Sequence, residues 1–144
     1  MWTYLGLPVV LPAKATSFIY KITHIATGKW YIGRKALYKT AYKQVKGKKK
    51  KYLKDSDWQT YWSSSDELQK WAEVEGADKF TREILMFTET AAATTYAEEA
   101  ILYMTGALFD PLCLNGNIRA KIFRKWFANK ETDLHVRIMK ALHG

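Results

Sequence analysis

The chain has 144 residues, 48% hydrophobic, 15% aromatic and 26% charged, a composition that excludes a disordered or low-complexity chain and suits one domain with a real core. Its single cysteine, Cys113, excludes a disulfide framework and a CxxC metal site and fits a reducing compartment, and no apolar run is long enough to span a membrane. The net charge of +9 is laid out unevenly: residues 1–54 hold 13 basic residues and no acid, 55–110 hold 3 basic against 12 acidic, and 111–144 hold 7 against 2, so both ends should form a basic surface for a polyanion, nucleic acid first.

Residues 1–16, with Gly6, Pro8 and Pro12, read as an irregular or extended leader. No basic stretch precedes the apolar start, so it does not read as a signal peptide, and a soluble cytoplasmic protein is expected. Ser17 to Thr23 is β-branched and aromatic and predicts a strand; Ala26-Thr27-Gly28-Lys29 predicts a turn; residues 29–33 predict the returning strand of a hairpin. His24 falls between them as a turn or surface residue. Ala36, Leu37 and Ala41 favour a helix over 34–45, and the five lysines within Lys46–Lys51 predict a solvated loop. Ser63, Ser64 and Ser65 before Asp66-Glu67-Leu68 are a helix-start signal, and that helix should run to Glu75 and stop at Gly76. Trp58, Tyr61 and Trp62 ahead of it could stack on bases or pack the core, with core preferred.

Phe80 to Phe87 alternates apolar and polar and predicts a third strand. Thr94 or Thr95 should cap a helix over Tyr96–Thr105 that ends at Gly106. Beyond Asn117, Ile118, Ile122, Phe123, Trp126 and Phe127 recur at helical spacing among Arg119, Lys121, Arg124 and Lys125, and a last helix is expected from Asp133 to Leu142. The domain plan is a leader (1–16), a compact domain (17–118) and a basic amphipathic tail (119–144). The aromatic tail helix offers a route to a homo-oligomer.

Cys113 and the three histidines show no spacing for a nucleophile pair or a zinc site. The informative constellation is the hairpin. Phe18-Ile19-Tyr20 and Tyr31-Ile32-Gly33 place two tyrosines eleven residues apart on adjacent strands. A strand, a helix bearing Glu98 and Glu99, and then Asn115 follow. In motif and order the chain resembles the GIY-YIG nuclease family, and Lys29-Trp30-Tyr31-Ile32-Gly33-Arg34-Lys35 with Asp57–Ser65 is similar to the small free-standing GIY-YIG proteins of bacteriophages.

The resemblance implies an α/β fold, with a small antiparallel sheet of three strands (17–23, 29–33, 80–87) flanked by helices. It implies a metal-dependent DNA endonuclease with one Mg²⁺ or Mn²⁺ on a glutamate. Tyr20 and Tyr31 would orient or deprotonate water, and an arginine would stabilise the transition state. The tyrosines and one glutamate should converge on one concave face. Adjacent helical residues point about 100° apart, so either Glu98 or Glu99 should face the hairpin, with Glu98 preferred. The family's arginine falls at Ala41; Arg34, two turns earlier on the expected helix, then Lys35, and further off Lys39 and Lys43, are the substitutes. Asn115, with Asn117 competing, would position phosphate or serve the fold. Lys48, Lys49, Lys50 and Lys51 and the tail's Arg119, Lys121, Arg124 and Lys125 are candidate DNA contacts. Phe18 in place of glycine and Ala41 in place of arginine also admit a second reading, a weak or inactive relative that binds DNA or acts as an inhibitor.

Overall fold

A computed structural model describes residues 1–118, 124–127 and 129–143. The strands are β1 (Trp2–Tyr4), β2 (Leu7–Pro8), β3 (Ser17–His24), β4 (Trp30–Ala36), β5 (Tyr38–Val45), β6 (Lys48–Asp55) and β7 (Phe80–Thr88). The helices are α1 (Asp66–Glu75), α2 (Ala91–Met104) and α3 (Leu134–His143).

The predicted hairpin forms. β3 and β4 pair antiparallel, with Tyr20 opposite Gly33 and Ile22 opposite Tyr31. β7 lies antiparallel on the other side of β3. The expected three-strand sheet is nevertheless too small. The sheet has five strands in the order β2-β1-β7-β3-β4, and β1 runs parallel to β7, so it is mixed. Within residues 1–16, β1 and β2 form a tight hairpin that turns at Leu5 and Gly6, and β1 joins the sheet beside β7. Trp2 is buried against the edges of Phe18 and Tyr20, at ring-centroid distances of 5.2 and 5.3 Å, and its indole donates to the Trp58 carbonyl.

The expected helix over 34–45 does not form. β4 continues through Ala36, and residues 38–55 are a two-stranded antiparallel ribbon separate from the main sheet. The lysine run is therefore strand rather than loop. Lys46 and Gly47 turn the ribbon with positive φ at both positions (52° and 75°), as a two-residue hairpin requires. The helix propensity of Ala36, Leu37 and Ala41 loses to this turn and to the anchoring at the ribbon's base. There Leu37 is fully buried, its amide donates to Thr16, and Ser56 donates to the carbonyls of Ala36 and Leu37.

Two cores cover the two faces of the sheet. One is aromatic: Trp2, Phe18, Tyr20, Phe80 and Phe87 with Leu68 and Ala72 of α1, and Trp58, Tyr61, Trp62 and Trp71 packed around them. Phe18 is fully buried and meets Trp2, Tyr20, Trp58 and Phe87 edge to face, so a core ring fills the place of the motif's glycine. The other core is aliphatic: Ile19, Ile32 and Met86 against Ala93, Ala97, Ile101 and Leu102 of α2 and Leu134 and Ile138 of α3.

Ser65 caps α1 as expected, accepting from the Leu68 amide, and Gly76 ends it with φ of 103°. α2 starts earlier than expected, because Thr90 rather than Thr94 or Thr95 is its cap. Thr94 is buried one turn on, and its hydroxyl bonds Thr88 and the Thr90 carbonyl instead. Arg137 of α3 bonds Glu131 and the Phe87 carbonyl, while Glu131 accepts from Thr90, so the last helix docks on its own domain. His24, expected at the surface, is buried between Thr27 and Glu75 and stacks on Trp71. Of the tail, Arg119 and Lys121 lie outside the described residues, as do the side chains of Arg124 and Lys125; Arg124–Phe127 is a 3₁₀ turn.

Candidate active site

β4 is the edge strand nearest α2, and its edge is sealed up to Ile32 by the segment after α2. The Trp30 amide donates to Leu112 and the Leu114 amide to Trp30. The Asn115 side chain then acts like a short strand: its Oδ1 accepts from the Ile32 amide at 2.9 Å and its Nδ2 donates to the Ile32 carbonyl at 2.8 Å. Beyond this seal lies a polar cavity of about 230 Å³, lined by Tyr31, Arg34, Glu98, Glu99, Asn115 and Asn117 together with Thr95 and Leu102.

Side chains alternate along a strand, so Tyr31 and Arg34 come from opposite faces of β4 and meet at its edge. Tyr31 comes from the aromatic side and shares a 3.1 Å hydrogen bond with Ser64. Arg34 comes from the α2 side; its Nη1 donates to Thr95 at 2.6 Å and its Nε stands 3.7 Å from Glu98 Oε2. Both glutamates line the cavity, although only one was expected to face the hairpin. Each has one buried carboxylate oxygen, Oε2, without a hydrogen-bond partner. Burial pushes the Glu98 carboxyl above the usual range, Arg34 pulls it back, and Glu99 adds to the rise. Burial also raises the Tyr31 phenol; the Ser64 bond opposes this and the Glu98 charge adds to it.

Tyr20 does not line this cavity. It is fully buried behind Tyr31, with ring centroids 6.3 Å apart. Gly33 makes its place possible, since a Cβ there would collide with the Tyr20 ring and hydroxyl. Burial raises its phenol far above the ordinary range, reinforced by Tyr61 and Tyr31. Its hydroxyl lies beside Tyr61 without a hydrogen bond of regular geometry. Lys35 is also apart from the cavity: it points to the aromatic side, 2.6 Å from Asp57 and over the Tyr61 ring. Ala41, Lys39 and Lys43 are on the ribbon.

The hairpin, the Gly33 seat under Tyr20, the glutamate helix and the asparagine closing the edge form one assembly in the order the motifs required. A family profile described as "Putative endonuclease segE, GIY-YIG domain" matches residues 2–118. The chain belongs to this GIY-YIG family. No curated protein and no solved structure matches the chain. In this GIY-YIG domain the profile begins at Trp2, the residue that starts β1 and enters the aromatic core.

Ser64 and Thr95 were missed as site residues. Each reads locally as a helix-start residue, and their partners Tyr31 and Arg34 are 33 and 61 positions away. Among the described residues no group of three or more His, Cys, Asp or Glu could hold a metal. The Glu98 and Glu99 carboxylates, both lining the cavity, could hold a single hard cation whose remaining positions are filled by water and phosphate oxygens, as Mg²⁺ commonly binds. No helix among the described residues is long and apolar enough to cross a membrane.

Proposed function

We propose that this GIY-YIG domain is a metal-dependent DNA endonuclease that hydrolyses phosphodiesters at the cavity on the β4 edge. The observation that carries this reading is that Glu98, Glu99, Arg34 and Tyr31 line one polar cavity of a nuclease-family domain, with Glu98 Oε2 3.7 Å from the Arg34 guanidinium. Glu98, with Glu99 beside it, would hold one Mg²⁺ or Mn²⁺, which neutralises phosphate charge and acidifies water.

The chain's own residues supply the rest. Arg34 is half exposed and presents its guanidinium to a phosphoryl oxygen, where charge builds as the water–phosphorus bond forms and the ester bond breaks. Tyr31 is a neutral phenol here, and orients the attacking water through its hydroxyl while Ser64 fixes the ring. Tyr20 positions Tyr31 from behind. Asn115 holds Ile32, and with it the strand carrying Tyr31 and Arg34.

The test is supercoiled plasmid with Mg²⁺ or Mn²⁺, against an EDTA control and against Glu98→Gln. Metal-dependent nicking or linearisation that Glu98→Gln abolishes supports the reading. Binding without cleavage under every metal condition overturns it in favour of a DNA-binding relative, the alternative that Ala41 in the arginine position keeps open.

A further inference from the structure

The ribbon of β5 and β6 carries eight lysines and one acid, Asp55, between Tyr38 and Asp55. Its register sorts them. One face holds Lys39, Lys43, Lys48, Lys50 and Lys54 around Ala41, Val45 and Tyr52, while the other holds only Lys49 and Lys51, with Tyr38, Thr40, Tyr42, Gln44, Leu53 and Asp55. On the first face Lys39 stands directly opposite Lys54, and Lys43 opposite Lys50. Like charges directly opposed across strands destabilise a ribbon. Little offsets them: none of the ion pairs among the described residues includes a ribbon lysine, Lys43 meets the Tyr52 ring at 5.4 Å, and every residue of β6 is exposed. A free-standing ribbon that concentrates cations on one face is complementary to a polyanion.

The ribbon's position names the polyanion. It leaves the main sheet one residue after β4, the strand that carries Tyr31 and Arg34 into the cavity. Leu37 and Ser56 clamp its base there. Eight residues at about 3.4 Å each give an arm of roughly 27 Å, or about eight base steps at 3.4 Å per phosphate along a strand. Resting on the nuclease reading above, we infer that the ribbon is a docking arm that lays its five-lysine face along the phosphate backbone of duplex DNA. The arm holds flanking duplex while the scissile phosphate occupies the cavity. The assignment separates the lysine run by face. Lys48 and Lys50 contact DNA, together with Lys39, Lys43 and Lys54 from outside the run, whereas Lys49 and Lys51 face away.

The test compares two double variants of equal charge, Lys43→Gln/Lys50→Gln and Lys49→Gln/Lys51→Gln, each in the full chain. Affinity for a short duplex is measured across a salt series. The first should flatten the slope of log K against log[salt] by about 1.8, two phosphate contacts at about 0.9 each, and the second by less than half of that. Both substitutions are on exposed ribbon positions, and circular dichroism checks the fold. Equal or reversed changes in slope overturn the face assignment; wild-type slope in both doubles, or no duplex binding by the wild type, overturns the arm itself. Plasmid cleavage is read in parallel. Cleavage with unchanged slopes rejects the arm and leaves the nuclease reading standing. A slope that falls only in Lys43→Gln/Lys50→Gln, with no wild-type cleavage, rejects the nuclease and leaves the arm.

Discussion

The two faces of the sheet are built from different materials and deliver different parts of the site. The aromatic face interlocks rings edge to face, from Trp2 through Phe18 and Tyr20 to Tyr61, so that each ring's angle is fixed by its neighbours. The α2 face is close-packed aliphatic. Ala93 and Ala97 are fully buried and let the helix approach Ile19 and Ile32. The first face controls orientation and contributes Tyr31; the second controls approach and contributes Glu98. The cavity lies where the two meet at the β4 edge, so the site depends on both cores at once.

The largest expected effect breaks the α2 side chemically. Glu98→Gln should lower plasmid cleavage by at least about a hundredfold, in the range seen when one transition-state charge contact is lost, while duplex binding persists. Glu99→Gln should lower cleavage by less, since Glu98 is the carboxylate that meets Arg34. The opposite ranking by initial rates would swap the two roles.

Next come the cores themselves. Ile101 is fully buried on the inner face of α2, and Ile101→Ala should cost about 2–5 kcal/mol of unfolding free energy in urea. On the aromatic side Gly33→Ala drives a Cβ into Tyr20 and should cost roughly 1–3 kcal/mol. It should also depress cleavage more than its stability loss explains, because it displaces the ring behind Tyr31. Cleavage that simply tracks the folded fraction would show that ring orientation is unimportant.

Tyr20→Phe separates fold from chemistry. A buried hydroxyl without a good partner contributes nothing to stability, so the variant should unfold at the same denaturant concentration or a slightly higher one. Loss of cleavage at unchanged stability would show the hydroxyl serves the reaction; full activity would limit Tyr20 to its ring.

The smallest effect is a pH dependence. Glu98 titrates above its unfolded value because of burial, so its neutral form favours folding below about pH 4, and that contribution is lost as pH rises through the raised value. Metal-free Glu98→Gln should therefore melt higher than wild type near neutrality, and the gain should vanish in acid. Mg²⁺ should raise the melting temperature of wild type and leave Glu98→Gln unmoved.

Local signals were legible in the sequence. The hairpin, the Ser65 cap, the Gly76 stop and β7 all rest on neighbouring residues, and each forms at its expected place. What was not legible depended on distance. β1 reads as loop because its partner β7 is some eighty positions away, and pairing outweighs the weak local pattern around Gly6 and Pro8. The ribbon was misread because alanine and leucine propensity is a per-residue quantity, whereas the Lys46-Gly47 turn acts on both flanking strands together. Of the site, motif order pointed to Tyr31, Arg34, Glu98 and Asn115 as a group. It gave no sign that Tyr20 lies behind the cavity, which follows from its pairing with Gly33 across the hairpin, or that Lys35 points to the other face, which follows from β4 running on past Gly33 as strand rather than turning into a helix.

Asn115 has one more consequence. An edge strand with free amides and carbonyls invites another chain to pair with it, and β4 is such an edge in a sheet that carries the candidate site. By occupying both backbone groups of Ile32, one side chain closes that stretch to intruding strands without adding a strand that would bury the cavity. Asn115→Ala should therefore act on solution behaviour as much as on catalysis, producing concentration-dependent self-association visible by light scattering under conditions where the wild type stays dispersed. On the reading proposed above, the same amide would guard both the dispersed state and the open edge beside the cavity.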